Sequence, residues 1–156
     1  MNELVTNKYM QLAIDEALEG IKLGHGGPFG SVIVKDGKIV GKGHNMVLLN
    51  NDSTAHGEIS AIRDAEKNLN TYDLSGCELY TTGEPCPMCL GAILWANISK
   101  VYYGCNIIDT EIIGFRDKKF YSLSDDEKNS FIKEMDRKRC LKLYEEYKEI
   151  EDKTNY

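Results

Sequence analysis

The chain has 156 residues, 42% of them hydrophobic and 28% charged. This suits a single domain, residues 1–156, able to bury roughly 70% of its unfolded surface without disulfide help. No stretch approaches the ~18 uninterrupted apolar residues of a membrane helix. The opening MNELVTNKYMQLAIDEALEG mixes acidic side chains into its apolar pattern, so no signal peptide, no membrane and a cytoplasmic location are expected. A net charge of -6, from 19 basic and 25 acidic side chains, lowers the expectation of nucleic-acid binding, which draws its affinity from phosphate neutralisation.

Met10, Ile14, Ala17, Leu18 and Ile21 mark one apolar helix face, with Gly24 as its stop. The cluster GHGGPFG breaks the helix into a loop. Two strand-like runs follow, Ser31–Lys35 and Lys38–Gly43, joined by Asp36-Gly37, a strong hairpin signal. After a polar loop at Asn50–Ser53, Thr54 is the expected cap of a helix from about Ala55 to Asn68. Glu78–Thr82 reads as a strand, Pro85 to Ala96 as a helix and Val101–Tyr103 as a short strand. Ser124 with Glu127 forms a capping box. The last helix, about 136–156, carries Leu141, Tyr144, Tyr147 and Ile150 among polar neighbours, so packing on a second subunit is expected. Strands alternating with helices point to an α/β class fold, a three-layer α/β/α sandwich on a mixed sheet.

Chemistry concentrates in His56-Gly57-Glu58 and Pro85-Cys86-Pro87-Met88-Cys89. Cys86 and Cys89, three apart, share a helix face. Pro87 suits the first turn, and a helix N-terminus favours thiolates. An odd count of five cysteines, Cys77, Cys86, Cys89, Cys105 and Cys140, argues for reduced thiols and for metal or catalytic use of the close pair. A Cys-x-x-Cys alone also suits a redox pair or half of a structural zinc site. The first leaves His56 and Glu58 unused, and the second lacks a second close pair. One His and two Cys ligands with an open fourth position describe a catalytic zinc. Such a zinc activates water at neutral pH, with Glu58 moving the protons. His56 and Glu58 converge only if His56 stands in the irregular first turn, because helical residues two apart diverge by about 200°. Gly57 between them leaves room for a substrate. His25 and His44 read as structural or exposed.

His-x-Glu followed by Pro-Cys-x-x-Cys is the known signature of zinc deaminases. With Gly27-Pro28-Phe29-Gly30, Asn51-Asp52-x-Thr54-Ala55, and Leu90-Gly91-Ala92-Ile93 with Trp95-Ala96, the chain resembles the cytidine deaminase-like superfamily. The likeness is greatest to its bacterial guanine deaminase and nucleoside (nucleobase) deaminase branch. The resemblance implies a sheet of roughly five strands, one Zn2+ per subunit on His56, Cys86 and Cys89, and Glu58 as the proton carrier. It implies substrate contacts from Asn45, Phe29, the Ala55 backbone and Asp117. It also implies a homodimer, with Tyr156 reaching the pocket from a swapped C-terminal helix. On residue type alone, Phe29 also suits a core, Asp117 a solvated loop and Tyr156 a frayed terminus.

The leading expectation is hydrolysis of a free base, guanine to xanthine and ammonia. Gly57 in place of the usual Ala, and Gly43-His44-Asn45-Met46, also resemble fungal cytosine deaminase, so cytosine is the alternative. Adenosine deamination in transfer RNA and a non-catalytic zinc module stand further off. Asn45 and the stretch around Asp117, with Arg116 beside it and a poorly matching Lys118–Asp126, carry the choice of base.

Overall fold

Asp36 and Gly37 both take positive φ, 49° and 75°, the conformation a two-residue hairpin turn requires. Strand β1 (Gly30–Lys35) turns there into β2 (Lys38–His44). The computed structural model describes residues 7–156. The first six residues, part of the opening stretch read for a signal peptide, lie outside the described residues.

The remaining elements begin with helix α1 (Lys8–Lys22), ahead of the hairpin. After it come α2 (Val47–Asn50), α3 (Gly57–Leu69), β3 (Cys77–Gly83), α4 (Pro87–Trp95), β4 (Lys100–Cys105), α5 (Ile107–Ile112) and α6 (Asp117–Tyr121). The sheet order is β2-β1-β3-β4. β1 runs antiparallel to β2 and β3, while β3 and β4 are parallel. The expected mixed α/β/α sandwich is therefore present, with four strands among the described residues where roughly five were expected. Past β4, Asn106 and Asp109 form a reciprocal capping box, which turns the chain into helix α5 where a further strand would need extended backbone.

The side chains of β1 alternate between two cores. Val32 and Val34 pack with Tyr80 and with Tyr9 of α1. Ile33 faces the other way, joining Leu79 and Cys77 to Ala61, Ile62 and Ala65 of α3 and Ile93 of α4. Gly41 shows how closely α3 lies on β2. A Cβ there would come within 2.6 Å of the Ala61 carbonyl oxygen, so only a bare backbone fits.

Helix α1 obeys the same steric rule, and this shifts its expected face: Ala17 is buried and Met10 and Ile14 are half-buried as expected, but Leu18 and Ile21 turn outward. Ala13, Ala17 and Gly20 are the buried residues, whereas Leu18 and Ile21 are 57% and 48% exposed. A Cβ on Gly30 would overlap the Ala13 carbonyl, so small residues let the helix settle onto the strand. Its seat is pinned by His44, whose Nδ1 lies 2.9 Å from Glu16 Oε2 and whose Nε2 lies 2.8 Å from His25 Nδ1. His44 is thus structural, as expected.

Residues Ser122–Tyr156 form a second compact unit. Within it α7 (Asp125–Phe131) starts on the Ser124–Glu127 capping box. Helix α8 (Arg137–Lys148) has no buried residue although it carries Leu141, Tyr144 and Tyr147, and it ends before Ile150.

Candidate active site

Helices α3 and α4 both start at the same end of the sheet, and each places a ligand residue at its N-cap. His56 has φ -69° and ψ 162°, extended geometry that swings its ring out of the helix. Glu58, one residue into α3, stays on the buried side. The condition for their convergence is met because His56 precedes the first helical turn. Thr54 is not the cap. Its N–H and hydroxyl both donate to Asp52 Oδ1, at 2.8 and 2.7 Å, because a short Asp side chain two residues back satisfies the loop locally.

Cys86 caps α4, its Sγ accepting the Cys89 N–H at 3.5 Å, with Pro87 in the first turn. His56 Nδ1 lies 3.6 Å from Cys86 Sγ and 3.4 Å from Cys89 Sγ, and the three ligand atoms lie within 4.8 Å of one another. Tetrahedral zinc bonds of ordinary length place a nitrogen and a sulfur ligand ~3.6 Å apart, so the donor set and its spacing fit zinc.

The electrostatics suit a cation. The Cys86 thiol is pulled down to about 4, first by the hydrogen bond from Cys89, with His56 and the Cys89 N–H adding to it. The same pairing, together with burial, pushes the Cys89 thiol up. The two adjacent thiols titrate as a coupled pair, the first proton leaving more easily and the second held more tightly. His56 is raised by its hydrogen bond to Cys86, against the opposing effect of burial. Glu58, 5% exposed, is raised by burial, with hydrogen bonds from Cys89 and Thr81 opposing.

A cavity of about 330 Å³ opens beside these groups, lined by His56, Glu58, Asn45, Phe29 and Asp117 among others. Five of the nine residues singled out from sequence therefore share one cavity. Phe29 stands edge-on to Phe115, with ring centroids 4.9 Å apart. Asn45 Oδ1 accepts the Val47 N–H at 3.1 Å, leaving its amide nitrogen as the donor for a ligand. Burial first, then the Cys86 charge, raises Asp117. Cys86 and Cys89 are buried behind the cavity. Ala55 is also buried, its N–H donating to Asp52 and its carbonyl accepting from Met46. Tyr156 lies in the second unit and is 80% exposed. Gly57 packs against the Phe29 carbonyl oxygen, to which an added Cβ would stand at 3.0 Å. Its small size thus serves backbone packing, where room for a substrate was expected.

Residues 5–105 match the cytidine and deoxycytidylate deaminase zinc-binding region. The chain belongs to this deaminase family. It is 50% identical over 113 residues to the guanine deaminase of Bacillus subtilis (strain 168), covering 72% of each chain. It is 40% identical over 118 residues to a tRNA-specific adenosine deaminase of Buchnera aphidicola subsp. Schizaphis graminum (strain Sg), covering 74% of this chain and 76% of that one. A crystal structure of guanine deaminase from Bacillus subtilis superposes with a TM-score of 0.90 at 39% identity, over 98% of this chain and 99% of the other. As a member of the family, the protein is a zinc-dependent hydrolytic deaminase.

Some residues around the site were given no role in the sequence reading. Glu84 lines the cavity and accepts the Ile107 N–H at 2.8 Å, while the Tyr121 hydroxyl donates to the Pro85 carbonyl at 2.6 Å. Together they hold the loop that delivers Cys86. Ser31 and Thr81, both without solvent exposure, stand behind Glu58. Their only signal in sequence is a hydroxyl on the strand face that otherwise carries Ile33, Cys77 and Leu79.

Proposed function

We propose that the protein deaminates a free nucleobase, converting guanine and water to xanthine and ammonia. The observation that carries this reading is Asp117 in the same cavity as Glu58 and His56. Guanine presents an N–H beside its amino group, and an acid accepts hydrogen bonds from such an edge. Cytosine and adenine present an unprotonated ring nitrogen beside theirs, which a carboxylate repels. Asn45 donates to a ring acceptor, Phe29 packs near the base, and the Ala55 backbone contributes a further contact.

His56, Cys86 and Cys89 would hold the zinc, which when bound would supply an activated water. Glu58 takes a proton from that water as the oxygen joins the ring carbon. It passes the proton to the ring nitrogen, then delivers the next one to the amine as the C–N bond breaks. The similarity to guanine deaminases supports the substrate, and the net charge of -6 weighs against a transfer RNA.

The same reading takes residues 1–156 as one functional domain in a cytoplasmic homodimer. In it the C-terminal helix is swapped, so that the partner subunit's Tyr156 closes the pocket. The apolar residues of α8, none of them buried, support this assembly.

Ammonia release from guanine, isocytosine, cytosine, adenine, guanosine and cytidine tests the substrate. Guanine and isocytosine share the N–H edge and should lead the series. Preference for cytosine or adenine would overturn the assignment.

A further inference from the structure

Ser31 on β1 and Thr81 on β3 stand opposite one another in the antiparallel register, both fully buried. Ser31 Oγ lies 2.9 Å from Thr81 Oγ1, Thr81 Oγ1 lies 3.0 Å from Glu58 Oε1, and Ser31 Oγ lies 3.4 Å from the same oxygen. Each hydroxyl has one proton to give. The shortest distances set the direction: Ser31 donates to Thr81, and Thr81 donates to Glu58. These hydroxyls flank Ile33 and Leu79 in the centre of the sheet, where a pair of valines would pack without any polar atom to satisfy. Their polar ends meet one acceptor, the carboxylate of Glu58.

We propose that Ser31 and Thr81 are a positioning pair that holds Glu58 by Oε1, so that every proton it carries rides on Oε2. This rests on the reading that Glu58 moves the protons. A proton added to Oε1 would take one of its two lone pairs and turn it into a hydroxyl oxygen, a weaker acceptor for the Thr81 proton, which weakens the buried chain back to Ser31. A proton on Oε2 leaves the chain intact. In the reaction an O–H bond of water breaks, its proton goes to Oε2 and the oxygen bonds the ring carbon. Oε2 then protonates the ring nitrogen. The second water proton follows through Oε2 to the amine, and the C–N bond breaks to release ammonia. Ser31 and Thr81 keep their own protons throughout, and Glu58 ends as the carboxylate it began as.

The test uses zinc-loaded enzyme and the base it deaminates fastest among guanine, isocytosine, cytosine and adenine. Variants are Thr81→Val, Thr81→Ser, Ser31→Ala and Glu58→Gln, each with zinc per chain and melting temperature measured beside kcat and KM. Thr81→Val is near-isosteric and loses only the hydroxyl. It should keep full zinc and KM while kcat falls about 10- to 100-fold, the cost of one hydrogen bond to a charged group. Thr81→Ser keeps the hydroxyl and opens a methyl-sized gap, and it should retain kcat within about 3-fold. Wild-type kcat in Thr81→Val overturns the proposal, as does a Thr81→Ser loss equal to that of Thr81→Val, which would mark a packing role. If Thr81→Val does not fold, Ser31→Ala decides: a several-fold fall in kcat at unchanged zinc and KM supports the pair, and an unchanged kcat overturns it. Glu58→Gln separates the two levels. Full turnover there removes the proton-carrier reading and the pair with it, while an inactive Glu58→Gln beside an unaffected Thr81→Val removes the pair alone.

Discussion

Glu58, His56, Cys86 and Cys89 were legible in the sequence because their chemistry leaves a pattern: two cysteines at fixed spacing, prolines on both sides of Cys86 at the start of α4, and a carboxylate two residues from the imidazole. Glu58→Gln should therefore keep full zinc content and lose turnover, which metal analysis beside an ammonia assay would check; loss of zinc with turnover would instead make Glu58 part of the metal site. Asp117 was named only through family resemblance, since a lone acid at the start of a short helix carries no local signal of its own. Replacing it by Ala should lower kcat/KM for guanine roughly 10- to 150-fold, the range for losing hydrogen bonds to a charged group, and should lower it far less for cytosine. Ser31 and Thr81 were not legible, because a hydroxyl in a strand is ordinary until its acceptor, 27 or 23 residues away in sequence, is known.

At the scale of elements, the hairpin and the start of α4 follow from local chemistry: positive φ at Asp36-Gly37 and proline in the first turn of α4. The buried face of α1 does not, because it depends on how near the helix approaches β1. Large apolar residues gave the periodicity, but Ala13, Ala17 and Gly20 occupy the contact. Gly41→Ala should likewise destabilise the protein by about 1–3 kcal/mol, the usual cost of overpacking, because the new Cβ would stand 2.6 Å from the Ala61 carbonyl oxygen. A lowered urea midpoint at unchanged m-value would show it. Zinc ties the starts of α3 and α4 together. Saturation a thousand-fold above Kd stabilises by about 4 kcal/mol, so chelation should lower Tm by on the order of 10 °C, reversibly on adding zinc back. Metal uptake should also depend on pH. The Cys86 thiol, held at about 4, is deprotonated above that pH and protonated below it. Binding must also expel the protons that the raised Cys89 thiol and the raised His56 imidazole hold, so uptake should weaken as pH falls and release protons as it occurs. Competition with a chromogenic chelator across pH would measure this.

On the scale of the whole molecule, a sheet covered on both faces explains why the site lies at one end. Both ligand-bearing helices begin there, and the loops that carry Phe29 and Asn45 and the start of α6 with Asp117 reach the same cavity. Helix α8 answers to a different logic, since none of its residues is buried. A chain truncated before Tyr144 should sediment as a monomer if the swapped dimer is correct; an unchanged dimer mass would place the interface elsewhere. The most direct test of the central claim is guanine turnover in water enriched in 18O. The predicted result is xanthine carrying one 18O atom and one equivalent of ammonia, abolished in Glu58→Gln. Guanine recovered unchanged from the zinc-loaded protein, or xanthine without the label, would contradict it.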